Sequence, residues 1–375
     1  MSLTFDRTDT SIFGRWWWTV DRLLLAALVL LMAVGVVLIM AASPAVADRI
    51  GLDNYHFVQR HIVMLAPSLL ITVAVSLLPS RKVRYLAFGV FLITIAMLVL
   101  VPFVGVEIKG ARRWLHLPGM SIQPSEFLKP SFAIVTAWLF AQWRTSETYF
   151  PGNLIAMALY GLCAGLLLLQ PDLGQTFVLT AVWFSQFFLA GLNIMLVAGL
   201  AVAGMAGLVG AYFVFPHVTS RIDRFLDPNA GDNYQVTRSL EAFANGGFLG
   251  TGPGQGTVKM YLPDAHADFV FSVAGEEFGL VVCVLIVALY GFIVLRGFKR
   301  VSEESSLFAV LAVSGLLIQF GLQSLINMGS SLHLMPTKGM TLPFLSYGGS
   351  SLLALGYGMG MVLALTRKRF GNAET

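Results

Sequence analysis

Asp268 stands where a polar stretch, Lys259-Met-Tyr-Leu-Pro-Asp-Ala-His-Ala-Asp-Phe-Val-Phe271, gives way to a long apolar run. A carboxylate at such a boundary is partly desolvated, which raises its basicity and suits it to take a proton from a weak acid such as a hydroxyl. A helix-capping role explains the same residue equally well from local sequence. His266, two residues earlier, is placed to tune Asp268 or to replace it as proton acceptor. Glu276 and Glu277, two turns deeper, are candidate partners for cations on neighbouring segments.

Three further segments concentrate polar groups. In Gln123-Pro-Ser-Glu-Phe-Leu-Lys129, Pro124 suits a first helical turn, which puts Glu126 and Lys129 three apart on one face, close enough to pair. Such a pair serves either helix packing or a substrate. Just before it, Arg112 and Arg113 beside Trp114 suit either anionic headgroups or the phosphates of a bound substrate. Lys259 and Lys338, the latter between Pro336 and Pro343, are further candidate cations for an anionic ligand. Asp172, in Gln170-Pro-Asp-Leu-Gly-Gln175, reads first as a helix cap. The glycine-rich run Gly246 to Gly256 is followed by no lysine-serine or lysine-threonine pair, so it does not support a nucleotide loop. Gly348, Gly349, Ser350 and Ser351 read as a place where helices approach closely.

The elements that must position these groups are membrane spans. Of the 375 residues, 57% are hydrophobic and 12% charged, with a mean hydropathy of +0.77, which excludes a water-soluble domain. Apolar stretches long enough to cross about 30 Å of hydrocarbon recur near 22–42, 61–79, 83–105, 124–142, 152–170, 172–191, 193–215, 267–296, 305–330 and 345–366. The fold class expected is an all-α polytopic integral membrane protein of about ten transmembrane helices, with a long extracytoplasmic loop, 217–266, between helices 7 and 8. The span carrying Glu276 and Glu277 is expected either to bend or to lie partly outside the membrane, and Gln235 to Phe243 to form a short amphipathic surface helix.

Basic residues near short loops favour the cytoplasm, which puts both termini inside, with a 1–21 tail and a 367–375 tail. Trp16, Trp17 and Trp18 read as interfacial anchors before a first span that acts as its own signal anchor. Cys163 and Cys283 lie within spans, so no disulfide framework is implied. A formal net charge of +4 without basic-aromatic modules is no nucleic-acid signal. No compact ligand set suggests a metal, although a divalent cation such as Mg is compatible with an anionic substrate.

Taken together, Gly110-Ala-Arg-Arg-Trp114, Gln123-Pro-Ser-Glu126, Gln170-Pro-Asp-Leu-Gly174, Tyr261 to Gly279 and Pro336 to Ser351 resemble, in order and over nearly the whole chain, the SEDS family of bacterial cell-wall polymerases (shape, elongation, division and sporulation proteins). Tyr-Leu-Pro-Asp-Ala-His at 261–266 and Pro-Thr-Lys-Gly-Met-Thr-Leu-Pro at 336–343 are more similar to the division branch than to the elongation branch. The resemblance implies one SEDS-type membrane domain, 1–375, in the bacterial cytoplasmic (inner) membrane at the division septum. It implies a peptidoglycan glycosyltransferase that polymerises lipid II on the outer face, with Asp268 on the family's key aspartate and Glu126, Lys129 and Lys338 on motif positions. A class B penicillin-binding transpeptidase, other division proteins and membrane lipids are the implied partners. Where the commoner pattern has Glu then Thr or Asn near that aspartate, this chain has Asp264 and Ala267. A lipid II transporter and a noncatalytic division scaffold are the competing functions.

Overall fold

The computed structural model describes residues 11–108, 111–117, 120–191, 194–214, 216–226, 234–336 and 339–368. In chain order the elements are α1 (Ile12–Thr19), α2 (Arg22–Arg49), α3 (His56–Ser76), α4 (Ser80–Val104), β1 (Val106–Ile108), β2 (Ala111–Leu117), β3 (Met120–Ile122), α5 (Pro124–Thr145), α6 (Gly152–Leu169) and α7 (Leu173–Leu189). They continue with α8 (Ile194–Val214), α9 (Pro216–Leu226), α10 (Tyr234–Gly246), a single 3₁₀ turn over Val258–Tyr261, α11 (Val270–Val301), α12 (Leu307–Ser331) and α13 (Gly349–Leu365).

Each of the ten expected spans has its helix: α2 to α8 and α11 to α13. Six are long and apolar enough to cross a bilayer, while α7, residues 202–214 of α8, and α13 are shorter apolar helices. The polar exception is α5, which carries Glu126, Lys129 and Arg144. Its position explains the composition, because α5 is buried along most of its length at the centre of the bundle, in contact with α4, α6, α7, α12 and α13.

Small residues set the tightest helix pair. On α13, a side chain at Gly356 would fall 2.4 Å from the Ser68 carbonyl oxygen of α3, and one at Gly360 would fall 2.8 Å from that of Thr72. Two hydroxyls stitch the same seam, Ser68 Oγ donating to the Leu352 carbonyl at 2.6 Å and Thr72 Oγ1 to that of Gly356 at 3.1 Å. The close approach therefore lies one to three turns beyond Gly348 and Gly349, which only open the helix.

The structure adds three features to an all-α reading. Residues 106–122 form a small antiparallel sheet in the order β1-β2-β3, which periodicity missed because two of its strands have three residues each. The segment 217–266 is not one long loop but holds most of α9, then α10 and the 3₁₀ turn. The expected amphipathic helix is α10, packed against α11 through Ser239, Ala242 and Gly246. Finally, α11 does bend, but at Gly279 (φ 75°, ψ −176°) rather than at the two glutamates.

Both ends of the described chain meet at one end of the bundle. The Lys368 amide donates to the Thr19 carbonyl at 3.0 Å, and buried Asp21 binds Arg296 (2.9 Å) and Arg300 of α11. Trp16, expected at the interface, is 8% exposed and donates to Ser76 Oγ at 2.8 Å. Cys163 and Cys283 are buried and free.

Candidate active site

At the opposite end, two irregular segments are sewn together. One is 262–269, which leads into α11, and the other is 339–347, which leads into α13. The Tyr347 amide donates to the His266 carbonyl at 2.9 Å, and Ser346 Oγ donates to the Ala267 carbonyl at 2.5 Å. The Asp268 amide closes a turn onto the Asp264 carbonyl at 3.0 Å, a turn that Asp264 makes with a left-handed φ of 51°. Asp268 is half-buried. It does not cap α11, whose N-cap is Phe269 with no side-chain capping bond. A side chain built at Gly339 would lie 3.6 Å from Asp268 Oδ2, so the second segment crosses directly over the carboxylate.

His266 occupies a different environment. Its ring lies 4.2 Å from that of Phe57 and 5.2 Å from that of Tyr347 (centroid to centroid). Its Nδ1 is buried without a hydrogen-bond partner. Burial pushes its pKa down to about 4, so the ring stays neutral at physiological pH. Its place is between two aromatic rings, where it helps to hold the segments together, and no bond found for it supports the proton-acceptor role.

Glu126 and Lys129 form the expected pair, at 3.0 Å and almost fully buried. Each is also held from neighbouring helices. Gln175 of α7 donates to Glu126 Oε1 at 2.6 Å, Ser351 of α13 donates to Glu126 Oε2 at 3.3 Å, and Lys129 donates to Gln323 Oε1 of α12 at 2.9 Å. Gln323 in turn donates to the Thr341 carbonyl at 3.1 Å, and Thr341 and Ser351 hydroxyls meet at 2.9 Å. Four helices and the 339–347 segment thus share one buried polar network, in which Gln175 Oε1 is buried without a hydrogen-bond partner.

The other candidate cations are divided between structural and open positions. Arg112 and Arg113 are neighbours on β2, so their side chains leave opposite faces of the strand. Arg112 is exposed, 3.7 Å from Glu107 Oε2. Arg113 turns inward to the carbonyls of Gln170 and Pro171, at 3.1 and 2.5 Å, and lies 3.9 Å from Asp172. It clamps the α6–α7 turn. Asp172 caps α7, accepting from the Gln175 amide at 3.3 Å. Lys259 is buried, bonded to Glu277 and at 2.7 Å to the Ala41 carbonyl of α2. Glu276 accepts the amides of Thr257, Val258 and Lys259 at 2.7–2.8 Å and the side-chain amide of Asn245 at 2.9 Å. Lys259, read from sequence as a candidate cation for an anionic ligand, and Glu276, read as a partner for neighbouring cations, therefore both anchor the 246–261 segment. Lys338 lies outside the described residues. Among the described residues, no group of three or more His, Cys, Asp or Glu is arranged to hold a metal ion.

A family model described as cell cycle protein, spanning FtsW, RodA and SpoVE, matches residues 21–370. The chain belongs to this family. A protein of Caulobacter vibrioides named probable peptidoglycan glycosyltransferase FtsW is 44% identical over 368 residues, covering 98% of this chain and 94% of the relative. One of the same name from Coxiella burnetii is 34% identical over 359 residues, covering 93% and 96%. A chain from a structure of a peptidoglycan synthase complex that coordinates polymerisation and crosslinking superposes with a TM-score of 0.77 at 29% identity, covering 93% of this chain and 98% of that one. The rod shape determining protein RodA of Thermus thermophilus gives 0.67 at 29%, covering 93% and 97%. The likeness to the division branch of the FtsW/RodA/SpoVE family thus holds over nearly the full length.

Against that family background, several residues at this site escaped sequence reasoning. Gln319, Gln323 and Asn327 follow one another at four-residue spacing on α12, and all three are buried. Amides repeated on one face of an apolar span are the signal that would have found them. Arg49, in the last turn of α2, donates to the Leu262 carbonyl at 2.8 Å, a contact 213 residues distant in sequence that no local pattern reveals.

Proposed function

We propose that this membrane protein is a division-type peptidoglycan glycosyltransferase that polymerises lipid II into glycan strands. The observation that carries the reading is the placement of Asp268, a carboxylate at a helix mouth between two sewn segments, beside a network that holds the paired Glu126 and Lys129. The names borne by its relatives, probable peptidoglycan glycosyltransferase FtsW, support the same activity.

In the proposed reaction the acceptor sugar's 4-hydroxyl oxygen bonds to the anomeric carbon of the donor, while the bond from that carbon to the lipid pyrophosphate breaks. Asp268 accepts the hydroxyl proton, a contribution worth about 10²–10⁴ in rate. An α-linked donor giving a β-linked product needs one inverting displacement and no covalent enzyme intermediate. The leaving pyrophosphate gathers negative charge, and preorganised cations stabilise it. Arg112, exposed on β2 beside Glu107, and Lys338, assigned on its sequence motif, suit that role better than buried Lys259 and than Arg113, which is turned inward to the α6–α7 turn.

The site end faces outward from the cytoplasmic membrane, because the opposite end gathers Arg296, Arg300, Arg367 and Lys368 with both ends of the described chain. A class B penicillin-binding transpeptidase is the proposed partner at the septum, in keeping with the neighbour solved within a peptidoglycan synthase complex. The test is incubation of fluorescent lipid II with the purified protein and its cognate transpeptidase in proteoliposomes. Glycan strands support the reading. Movement of lipid II between leaflets without polymer replaces it with a transporter, and neither activity from an intact complex replaces it with a scaffold.

A further inference from the structure

Asn327 of α12 is 2% exposed, and its one side-chain amide nitrogen donates to two carbonyls, that of Asp268 at 2.9 Å and that of Met340 at 2.7 Å. These carbonyls belong to the two segments between which the Asp268 carboxylate lies. Both N–H groups of the amide are committed, while its Oδ1 is buried with no hydrogen-bond partner. Leaving a buried acceptor unsatisfied is unfavourable, but an apolar residue of the same shape would leave the Asp268 and Met340 carbonyls without their donor instead. The amide thus trades one unsatisfied acceptor for two tethered carbonyls.

The trade is in geometry. One turn earlier on the same face of α12, Gln323 links Lys129 to the Thr341 carbonyl. The helix therefore sets both the Asp268 main chain and the Glu126–Lys129 pair in register with the 339–341 segment. Phe344, held left-handed at φ 62°, and Tyr290 Oη, donating to the Pro343 carbonyl at 2.5 Å, fix the far side of that segment. Beside the His266 and Ala267 bonds that join the two segments, Asn327 ties the Asp268 carbonyl itself to the second segment through one amide. We infer that Asn327 is a positioning residue for Asp268, setting where the carboxylate stands relative to the segment that crosses it. This rests on the reading of Asp268 as the base.

The experiment compares native protein, Asp268→Asn, Asn327→Leu and Asn327→Gln, each with its cognate transpeptidase in proteoliposomes, for kcat and KM with lipid II and for thermal unfolding. Because a misplacement of about 1 Å costs up to about 10²-fold, Asn327→Leu is expected to lower kcat at least about tenfold with KM changed less than about twofold. Its unfolding temperature should fall, since the Asp268 and Met340 carbonyls lose their donor, and Asn327→Gln, which keeps both donors, should recover part of kcat. Native kcat in Asn327→Leu while Asp268→Asn is inactive overturns the inference alone. Equal loss of kcat in the Leu and Gln variants, tracking lowered unfolding temperatures, also overturns it in favour of a packing role. Full activity of Asp268→Asn overturns the reading of the base itself. Should Asn327→Leu fail to fold, Asn327→Ser, which is smaller and keeps one donor, is read against the same criteria.

Discussion

Glu126 and Lys129 sit almost without solvent in the middle of a helix bundle, so each charge depends on the other. Removing one partner strands a buried charge and costs about 3–5 kcal/mol. Lys129→Met is therefore expected to lower the detergent-solubilised protein's unfolding midpoint sharply, and adding Glu126→Gln should restore part of the loss by removing the stranded charge. His266 makes a prediction of opposite character. Its folded pKa is about 4 against an ordinary 6.5, so the unfolded chain takes up a proton that the folded chain refuses. Its contribution is fully present above pH 6.5 and is lost as pH falls towards 4, about 2 kcal/mol by pH 5. His266→Phe keeps an aromatic ring between Phe57 and Tyr347 and should remove that acid-dependent loss, as read from unfolding midpoints at pH 7.5 and 5. At this scale the pairing of Glu126 with Lys129 was legible because helical spacing dictates it. The fates of Arg113, Lys259 and Glu276 were not, because carbonyls and amides from distant segments claimed them.

At the scale of elements, the glycine-rich segment and the kinked helix explain each other. Gly279 has a backbone conformation open to glycine alone, and a side chain there would fall 2.4 Å from the Gly250 nitrogen and 2.5 Å from the Phe248 carbonyl oxygen. The Leu280 amide donates to the Gly247 carbonyl at 2.9 Å, and the Thr251 and Gly252 amides donate to the Glu276 and Glu277 carbonyls at 2.9 and 3.0 Å. The glycines thus wrap a chain around the break in α11. Gly279→Ala should undock the 247–259 segment, seen as new protease cleavage there, whereas Gly291→Ala on the same helix, with nothing within 4 Å, should leave the digest unchanged. Spans were legible because each is a long apolar run, and even the bend in α11 was anticipated. Its location was not, since the glutamates advertise cost while the glycine supplies the freedom. The sheet at 106–122 was hidden by its brevity.

Across the whole molecule, the bundle separates a basic end, where the two ends of the described chain meet, from an end rich in irregular segments and carboxylates. That polarity was readable from charge placement, and the proposed orientation follows from it. Cys163 and Cys283 are buried and give a silent background. Asn54→Cys, on the connection after α2, should react with a membrane-impermeant maleimide in intact cells, and Thr148→Cys, on the connection after α5, only after permeabilisation. The polymerase reading itself turns on one carboxylate, so its most direct test is lipid II polymerisation by native protein and by Asp268→Asn, at matched folding and transpeptidase binding. Glycan strands from the native protein and none from Asp268→Asn are the predicted result. Equal strands from both would contradict it.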